Sequence, residues 1–471
     1  MPPPPTIRNL YDLLTRDDLA SFIARCFHTI NPATPFLPNW HIELIAEYLK
    51  AVTRGEITRL IINMPPRMLK SLSVSVAWPA WLLGHQPARR ILCASYAQHL
   101  SLKHALDTRH ILQAPWYRAM FPKTQLQPDQ NRKEKFMTME RGFRLATSIG
   151  GSITGEGGNF LIVDDPQHPA QAESTTARQT VHEWFDQSFL TRLDDKKQGA
   201  IVVVMQRLHE EDLSGYLLQK PGKRWEHLCL PAIAEAPAYY AMGALEFIRA
   251  PGELLHPARE GETELQNTRQ ELGSMAFAAQ YQQQPLPPEG ELFRPHWIQR
   301  YTTPPEAPEH IVQSWDTAIK AGKQHDFSVC TSWAICTEGY YLLDVFCARL
   351  EYPALRKQII FQSERYQPDA ILLEDKASGQ SLLQELRRET ALPLIAIQPL
   401  RDKLTRAASA SALFESGRVY LPQYAHWLAG YEQELLRFPA TTHDDQVDST
   451  TQFLNWIRQG NLGKSATLRR L

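Results

Sequence analysis

Lys70 and Ser71 end the stretch Leu60-Ile61-Ile62-Asn63-Met64-Pro65-Pro66-Arg67-Met68-Leu69-Lys70-Ser71, an apolar strand followed by a rigid turn with two cations and a hydroxyl. A helix whose buried face begins with Leu72, Val74 and Val76 follows. A helix start offers unpaired N–H groups and a partial positive charge, so this turn suits a phosphate. Lys70 could reach β- and γ-phosphates while the Ser71 hydroxyl binds Mg²⁺, as in a Walker A loop. The pattern G-x-x-x-x-G-K-[ST] is incomplete, because Asn63 or Met64 stands at the first glycine and Leu69 at the second. Taken alone, the stretch also reads as an ordinary strand and helix joined by a proline turn.

A second chemical group lies at Phe160-Leu161-Ile162-Val163-Asp164-Asp165-Pro166, where four apolar residues without alternation predict a strand buried on both faces. In a nucleotide hydrolase, Asp164 would hold Mg²⁺ and Asp165 would orient or deprotonate the attacking water. The pair could also simply end a strand and cap a turn. Joined with Lys70 and Ser71, however, the two acids complete one Mg–triphosphate site. The buried run Ile201–Met205 leads to Gln206, which could sense a γ-phosphate, and Arg207, which could pair with a carboxylate there or form a purely structural ion pair.

Three acidic clusters stand far apart in the second half. Asp316 follows the apolar strand Ile311-Val312, Glu374 ends Ala370-Ile371-Leu372-Leu373, and Asp444-Asp445 precede the apolar helical run Phe453, Leu454, Trp456 and Ile457. Only folding can bring them together.

The elements that must position these groups follow from periodicity. Helical spacing marks residues 17–28 and 40–54, and His41 there reads either as a neighbour of a nucleotide base or as a packing residue. Strands at 60–63 and 90–95 alternate with helices, the second over 97–112 with Leu100, Leu102, Ala105, Leu106 and Ile111 as its apolar stripe. This order predicts an α/β domain with a mostly parallel sheet and helices on both faces. The glycine-rich stretch 150–158 reads as a connection between strands, and the prolines of 285–310 as an interdomain linker. Val329–Cys336, Tyr340–Phe346, a helix over 353–366 and the strand ending at Glu374 fit the start of an RNase H-like fold. The expected domains are an N-terminal helical lead-in (1–55), a P-loop ATPase domain (56–284), a linker (285–309), an RNase H-like nuclease domain (310–457) and a flexible basic tail (458–471).

Composition narrows the class further. The 471 residues are 43% hydrophobic and 21% charged, too many for one ordinary core and too apolar for a disordered chain. A net charge of -1 excludes the wholesale basicity of a passive nucleic-acid coat but leaves room for local basic grooves. The six cysteines form no C-x-x-C pair, and no apolar run reaches membrane-spanning length. A reducing cytosol and no membrane partner are expected.

Six ordered motifs give the chain a resemblance to the tailed-bacteriophage terminase large subunit, the DNA-packaging motor ATPase and nuclease. They are Met64–Ser71, Leu161–Pro166, Met205–Leu213, Leu272–Gln283, Leu373–Gly379 and His443–Asp448. The resemblance implies ATP with Mg²⁺ held by Arg67, Lys70, Ser71 and Asp164, with Asp165 as the catalytic carboxylate where many members have Glu. Residues 205–207 match a coupling motif that often has Thr or Ser at the position of Gln206. Glu156 stands where relatives often carry a trans-acting arginine, leaving Arg141 and Arg144 as substitutes. In the nuclease, Asp316, Glu374 and Asp445, with Asp444 as a fourth ligand, would hold two Mg²⁺ or Mn²⁺ ions. Asp448 could join that site or cap the closing helix, Asp326 is a weaker accessory, and Lys376 could meet a DNA phosphate.

The implied partners are double-stranded DNA, a portal protein ring, a small terminase subunit and further copies of this chain in a ring during packaging, with a monomer when isolated. The implied location is the host cytoplasm, transiently at the prohead portal vertex and not in the mature virion. An ATP-dependent helicase or restriction-type translocase with a fused nuclease would share both active sites. A catalytically weak structural DNA-binding protein is the other alternative.

Overall fold

A computed structural model describes residues 15–151, 153, 155–222, 224–285, 292–317, 327–375, 377–398, 403–441 and 443–460. The readings for the proline-rich start, Asp326, Lys376 and the tail residues Lys464, Arg469 and Arg470 lie outside the described residues. The chain forms two units, Met1–Gln266 with Ala276–Pro287, and Asn267–Met275 with Pro288–Leu471.

The first unit is built on an eight-stranded sheet of order β3-β4-β5-β2-β6-β7-β1-β8. Its strands are β1 (Arg59–Asn63), β2 (Arg90–Ser95), β3 (Leu126–Asn131), β4 (Lys135–Thr138), β5 (Phe143–Ser148), β6 (Phe160–Asp164), β7 (Ala200–Met205) and β8 (Glu226–Cys229). The strands from β5 to β8 in that order pair in parallel, whereas β3, β4 and β5 form an antiparallel edge. Alternation along the buried strands feeds two cores. Leu60, Ile62, Ile162, Val202 and Val204 enter one, while Ile61, Leu161, Val163, Ile201 and Val203 enter the other. A hairpin of β9 (Ala238–Met242) and β10 (Leu245–Arg249) lies outside the sheet.

The helix Gln98–Gln113 forms as predicted but buries a different face. Its buried residues are Ser101, His104, Ala105, Thr108, Ile111 and Leu112, while Leu100, Leu102 and Leu106 are only partly covered. The π-helical turn Leu72–Ala77 after the phosphate loop offers backbone carbonyls to buried polar side chains, one of them on this face. Thr108 Oγ1 donates to the Val76 carbonyl at 3.3 Å and Arg144 donates to the Ser75 carbonyl at 3.0 Å. Arg144 is fully buried, so it cannot reach a neighbouring subunit, whereas Arg141 is exposed at a turn.

The second unit has a seven-stranded sheet of order β11-β17-β14-β13-β12-β15-β16. These strands are β11 (Gln299–Tyr301), β12 (His310–Asp316), β13 (Ser328–Ile335), β14 (Tyr340–Ala348), β15 (Ala370–Glu374), β16 (Leu394–Ile397) and β17 (Val419–Pro422). The antiparallel run β12–β13–β14 joined in parallel to β15 and β16 is the RNase H-like arrangement. Part of 285–309 differs from a free connection. β11 pairs with β17, and Leu292, Phe293 and Ile298 are buried in this unit's core, because their apolar side chains complete its edge.

Candidate functional site

In the first unit β6, β7 and β1 are parallel neighbours, so their carboxyl ends bring three loops to one edge. The Lys70 ammonium lies 3.2 Å from an Asp165 carboxylate oxygen and donates to Gln206 Oε1 at 3.2 Å. Ser71 Oγ donates to Asp164 Oδ1 at 3.0 Å. Five of the residues singled out from the sequence therefore meet at this edge. Arg67 is exposed in the same loop.

No glycine shapes this loop, yet Arg67 and Leu69 take φ of 65° and 64°, and Asp165 takes 45°. These are left-handed conformations, costly for residues with a Cβ and more readily adopted by Asp. The loop thus reaches the backbone shape that glycine would supply, with Met68 and Leu69 packed on the core to hold it.

Beneath Asp164 lies a polar layer that apolar periodicity did not reveal. His104 Nδ1 is 3.4 Å from Asp164 Oδ2, with Ser75 and Arg144 near the same carboxylate. Burial raises the Asp164 carboxyl above its ordinary range, opposed by Ser75, Lys70, Ser71 and Arg144. Burial likewise raises Asp165, opposed first by Lys70. Burial lowers His104 to about 3, leaving it neutral. The polar stripe Ser101, His104, Thr108, at helical spacing, was the available signal.

His41 supports the loop from behind. It is fully buried, its Nε2 lies 3.3 Å from the Met68 carbonyl, and its Nδ1 meets the Asn39 amide. Arg207 makes two bonds through Nε to the buried Asp212 carboxylate at 3.0 and 2.9 Å, and its backbone N–H donates to Gln283 Oε1 at 3.0 Å. Residues 207, 212 and 283, from two separate motifs, thus become one hydrogen-bonded unit.

In the second unit, Trp315 and Leu373 are register partners, so Asp316 and Glu374 follow at the same end of adjacent strands. Ser314 and Ser449 exchange side-chain-to-backbone hydrogen bonds of 2.7 and 2.8 Å, which pin the helix Asp445–Arg458 against β12. Small hydroxyl side chains allow that close approach and satisfy each other's backbone. The sequence signal was the Ser449-Thr450-Thr451 run inside an otherwise apolar helical face. Asp316 is raised well above the carboxylate range by burial and by the charges of Asp448, Glu374 and Asp445, with Lys403 opposing.

The carboxylate of Asp444, the expected fourth ligand, meets the Lys403 ammonium at 2.8 Å. Asp448 binds Lys403 at 2.6 Å and Arg406 at 2.6 Å through separate oxygens. Neither cation was recognised from sequence. Among the described residues, no group of three or more His, Cys, Asp or Glu is arranged to hold a metal ion. The donor set nevertheless fits hard divalent cations: it is all oxygen, and burial with the charges of Asp448, Glu374 and Asp445 raises the Asp316 carboxyl, a repulsion that a bound cation would relieve.

The family model described as "Terminase RNaseH-like domain" matches residues 313–456. No curated protein matches the chain. Among solved structures, the chain is similar to the large terminase of a thermophilic bacteriophage, with 12% identity and a TM-score of 0.54 over 87% of this chain and 98% of that one. The same phage protein in complex with ATP-gamma-S gives 12% identity and 0.54 over 86% and 98%, and in complex with ADP 10% and 0.53 over 87% and 98%. At such low identities the likeness speaks for the fold. The chain therefore has the fold seen in a phage large terminase, and its residues 313–456 match the terminase RNase H-like domain.

Proposed function

We propose that the chain hydrolyses ATP to drive double-stranded viral DNA into a prohead and cuts concatemeric DNA with its second unit. The observation that carries this reading is the meeting of Lys70, Ser71, Asp164, Asp165 and Gln206 at one sheet edge, in a chain whose residues 313–456 match the terminase RNase H-like domain. The complexes of the thermophilic phage terminase with ADP and ATP-gamma-S support an adenine nucleotide as the ligand in this reading.

In this reading Lys70 exchanges its contacts with Asp165 and Gln206 for the β- and γ-phosphates, joined by Arg67. Ser71 and Asp164 would hold the Mg²⁺ that accompanies ATP. Asp165, released from Lys70, orients the attacking water and accepts its proton. Gln206 senses the γ-phosphate, and Arg207 passes the change to Asp212 and Gln283. Asp316, Glu374, Asp445 and Asp444 would hold two Mg²⁺ or Mn²⁺ ions, which when bound lower the pKa of a water and stabilise the leaving 3′-oxygen. A portal ring, a small terminase subunit and neighbouring copies of this chain complete the packaging motor in the host cytoplasm.

Two variants of the full chain test the two sites separately. Lys70→Ala is expected to lose ATP turnover and keep Mn²⁺-dependent cleavage, and Asp316→Ala to show the reverse. ATP turnover that survives Lys70→Ala, or cleavage that survives Asp316→Ala, would falsify the corresponding site. A prohead-packaging assay run beside a strand-displacement assay separates a packaging motor from a helicase: unwinding without packaging overturns the first.

A further inference from the structure

Lys403 opens the helix Lys403–Glu415 and places one ammonium between two carboxylates of the acidic cluster, 2.8 Å from Asp444 and 2.6 Å from Asp448. Its partner Asp448 is held from a second side as well. Arg406, on the same helix, binds the other oxygen of Asp448 at 2.6 Å, and Asn455 on the closing helix donates to the Arg406 carbonyl at 2.9 Å. Asp448 is almost wholly buried, so a carboxylate with both oxygens on cations is tied there. Lys403 is half exposed and its stem is long, so its ammonium can leave without unfolding the helix.

The cluster is anionic in sum. Asp444 and Asp448 meet Lys403, Asp448 also meets Arg406, and Asp316 feels both the repulsion of Asp448, Glu374 and Asp445 and the attraction of Lys403. A cation of fixed supply already sits where a divalent ion would be drawn, and it takes up Asp444, which a chelating group would need.

We propose that Lys403 is a built-in competitor for the divalent ions of this site: its ammonium holds Asp444 and Asp448 in the metal-free protein and must be displaced from Asp444 before the site loads. Asp448 is then the anchor of Lys403 and Arg406, a positioning residue rather than a metal ligand. Metal loading, and with it cutting, starts only above a divalent-ion concentration that this one charge raises. The inference rests on the nuclease reading given above and adds its regulation.

The test is Mn²⁺ binding to the full chain without DNA, read by isothermal titration calorimetry and by the electron paramagnetic resonance signal of free Mn²⁺. Lys403→Met should bind Mn²⁺ roughly three- to tenfold more tightly than wild type, the effect of removing one half-exposed unit charge at contact range. Lys403→Arg keeps the charge and should remain within about twofold of wild type. Asp316→Asn serves as the reference for the site itself and should weaken binding. If Asp316→Asn weakens Mn²⁺ binding while Lys403→Met leaves it unchanged or weaker, the competitor role is wrong and the nuclease site stands. If Lys403→Met and Lys403→Arg tighten binding alike, charge is not the cause and the proposal also fails. If Asp316→Asn leaves Mn²⁺ binding intact, the metal site itself has been misplaced.

Discussion

The Asp165 carboxylate faces the Lys70 ammonium at 3.2 Å from a backbone with φ of 45°. A left-handed residue at a strand end aims its side chain back across the sheet edge, which brings the acid of β6 to the cation of the loop after β1. Asp165→Asn keeps both the shape and the tolerance for this conformation while removing the charge. It is expected to lower ATP turnover by about 10²-fold or more, as loss of a proton acceptor does. Steady-state phosphate release, with circular dichroism to verify folding, measures it; turnover within a few-fold of wild type would remove Asp165 from the catalytic role.

Leu69 holds a φ of 64° one residue before the lysine. At most positions glycine is less stabilising than alanine, but here only glycine relieves the backbone. Leu69→Gly is therefore expected to be more stable than Leu69→Ala by about 1 kcal/mol, although both lose the leucine contacts. Urea unfolding of the two variants gives the comparison. The opposite order would mean that the loop carries no strain at this residue.

Asp212 accepts from Arg207 Nε and from the backbone N–H groups of Leu208 and Gly215, and it is fully buried. Arg207→Ala should destabilise the first unit by about 3–5 kcal/mol, because it leaves a buried carboxylate without its cation. Asp212→Asn with Arg207→Met should recover part of that loss. Chemical denaturation followed by tryptophan fluorescence reports both, and a loss under about 1 kcal/mol for Arg207→Ala would show the pair to be well solvated.

His41 is lowered to about 3, first by burial and then by His256, with Arg249 and Arg259 adding to the effect. The unfolded chain takes up this proton near pH 6.5. The stabilising contribution of the neutral ring is thus complete above about pH 6.5 and is lost progressively as the pH falls toward about 3. The raised Asp164 and Asp165 carboxyls act in the opposite sense, favouring the folded state in acid. A difference measurement isolates the histidine: the stability of wild type minus His41→Gln should fall by about 2 kcal/mol between pH 7 and pH 5. A difference independent of pH would mean that His41 titrates normally.

The buried strands were legible because parallel strands covered on both faces read as unbroken apolar runs, as at Leu60–Ile62, Phe160–Val163 and Ile201–Val204. Three of the site residues were legible for the same reason: Asp164, Asp165 and Gln206 stand where apolar runs stop, whereas Lys70 and Ser71 were read from the loop that follows one. The polar contacts that place those residues were not legible. His104, Arg144 and Ser75 gather under Asp164 from a helix, a strand and a π-helical turn, and nothing in the spacing of one segment encodes its distance to another.

The sequence by itself determined two α/β units with acids at strand ends, because burial and backbone geometry act locally and leave a period in the chain. Only the tertiary structure decided that Lys403 and Arg406 would take Asp444 and Asp448, and that Ser314 and Ser449 would clasp the closing helix to β12. Those pairings join residues from 41 to 135 positions apart. They depend on which helix packs on which sheet face, a choice made by the whole core rather than by any single stretch.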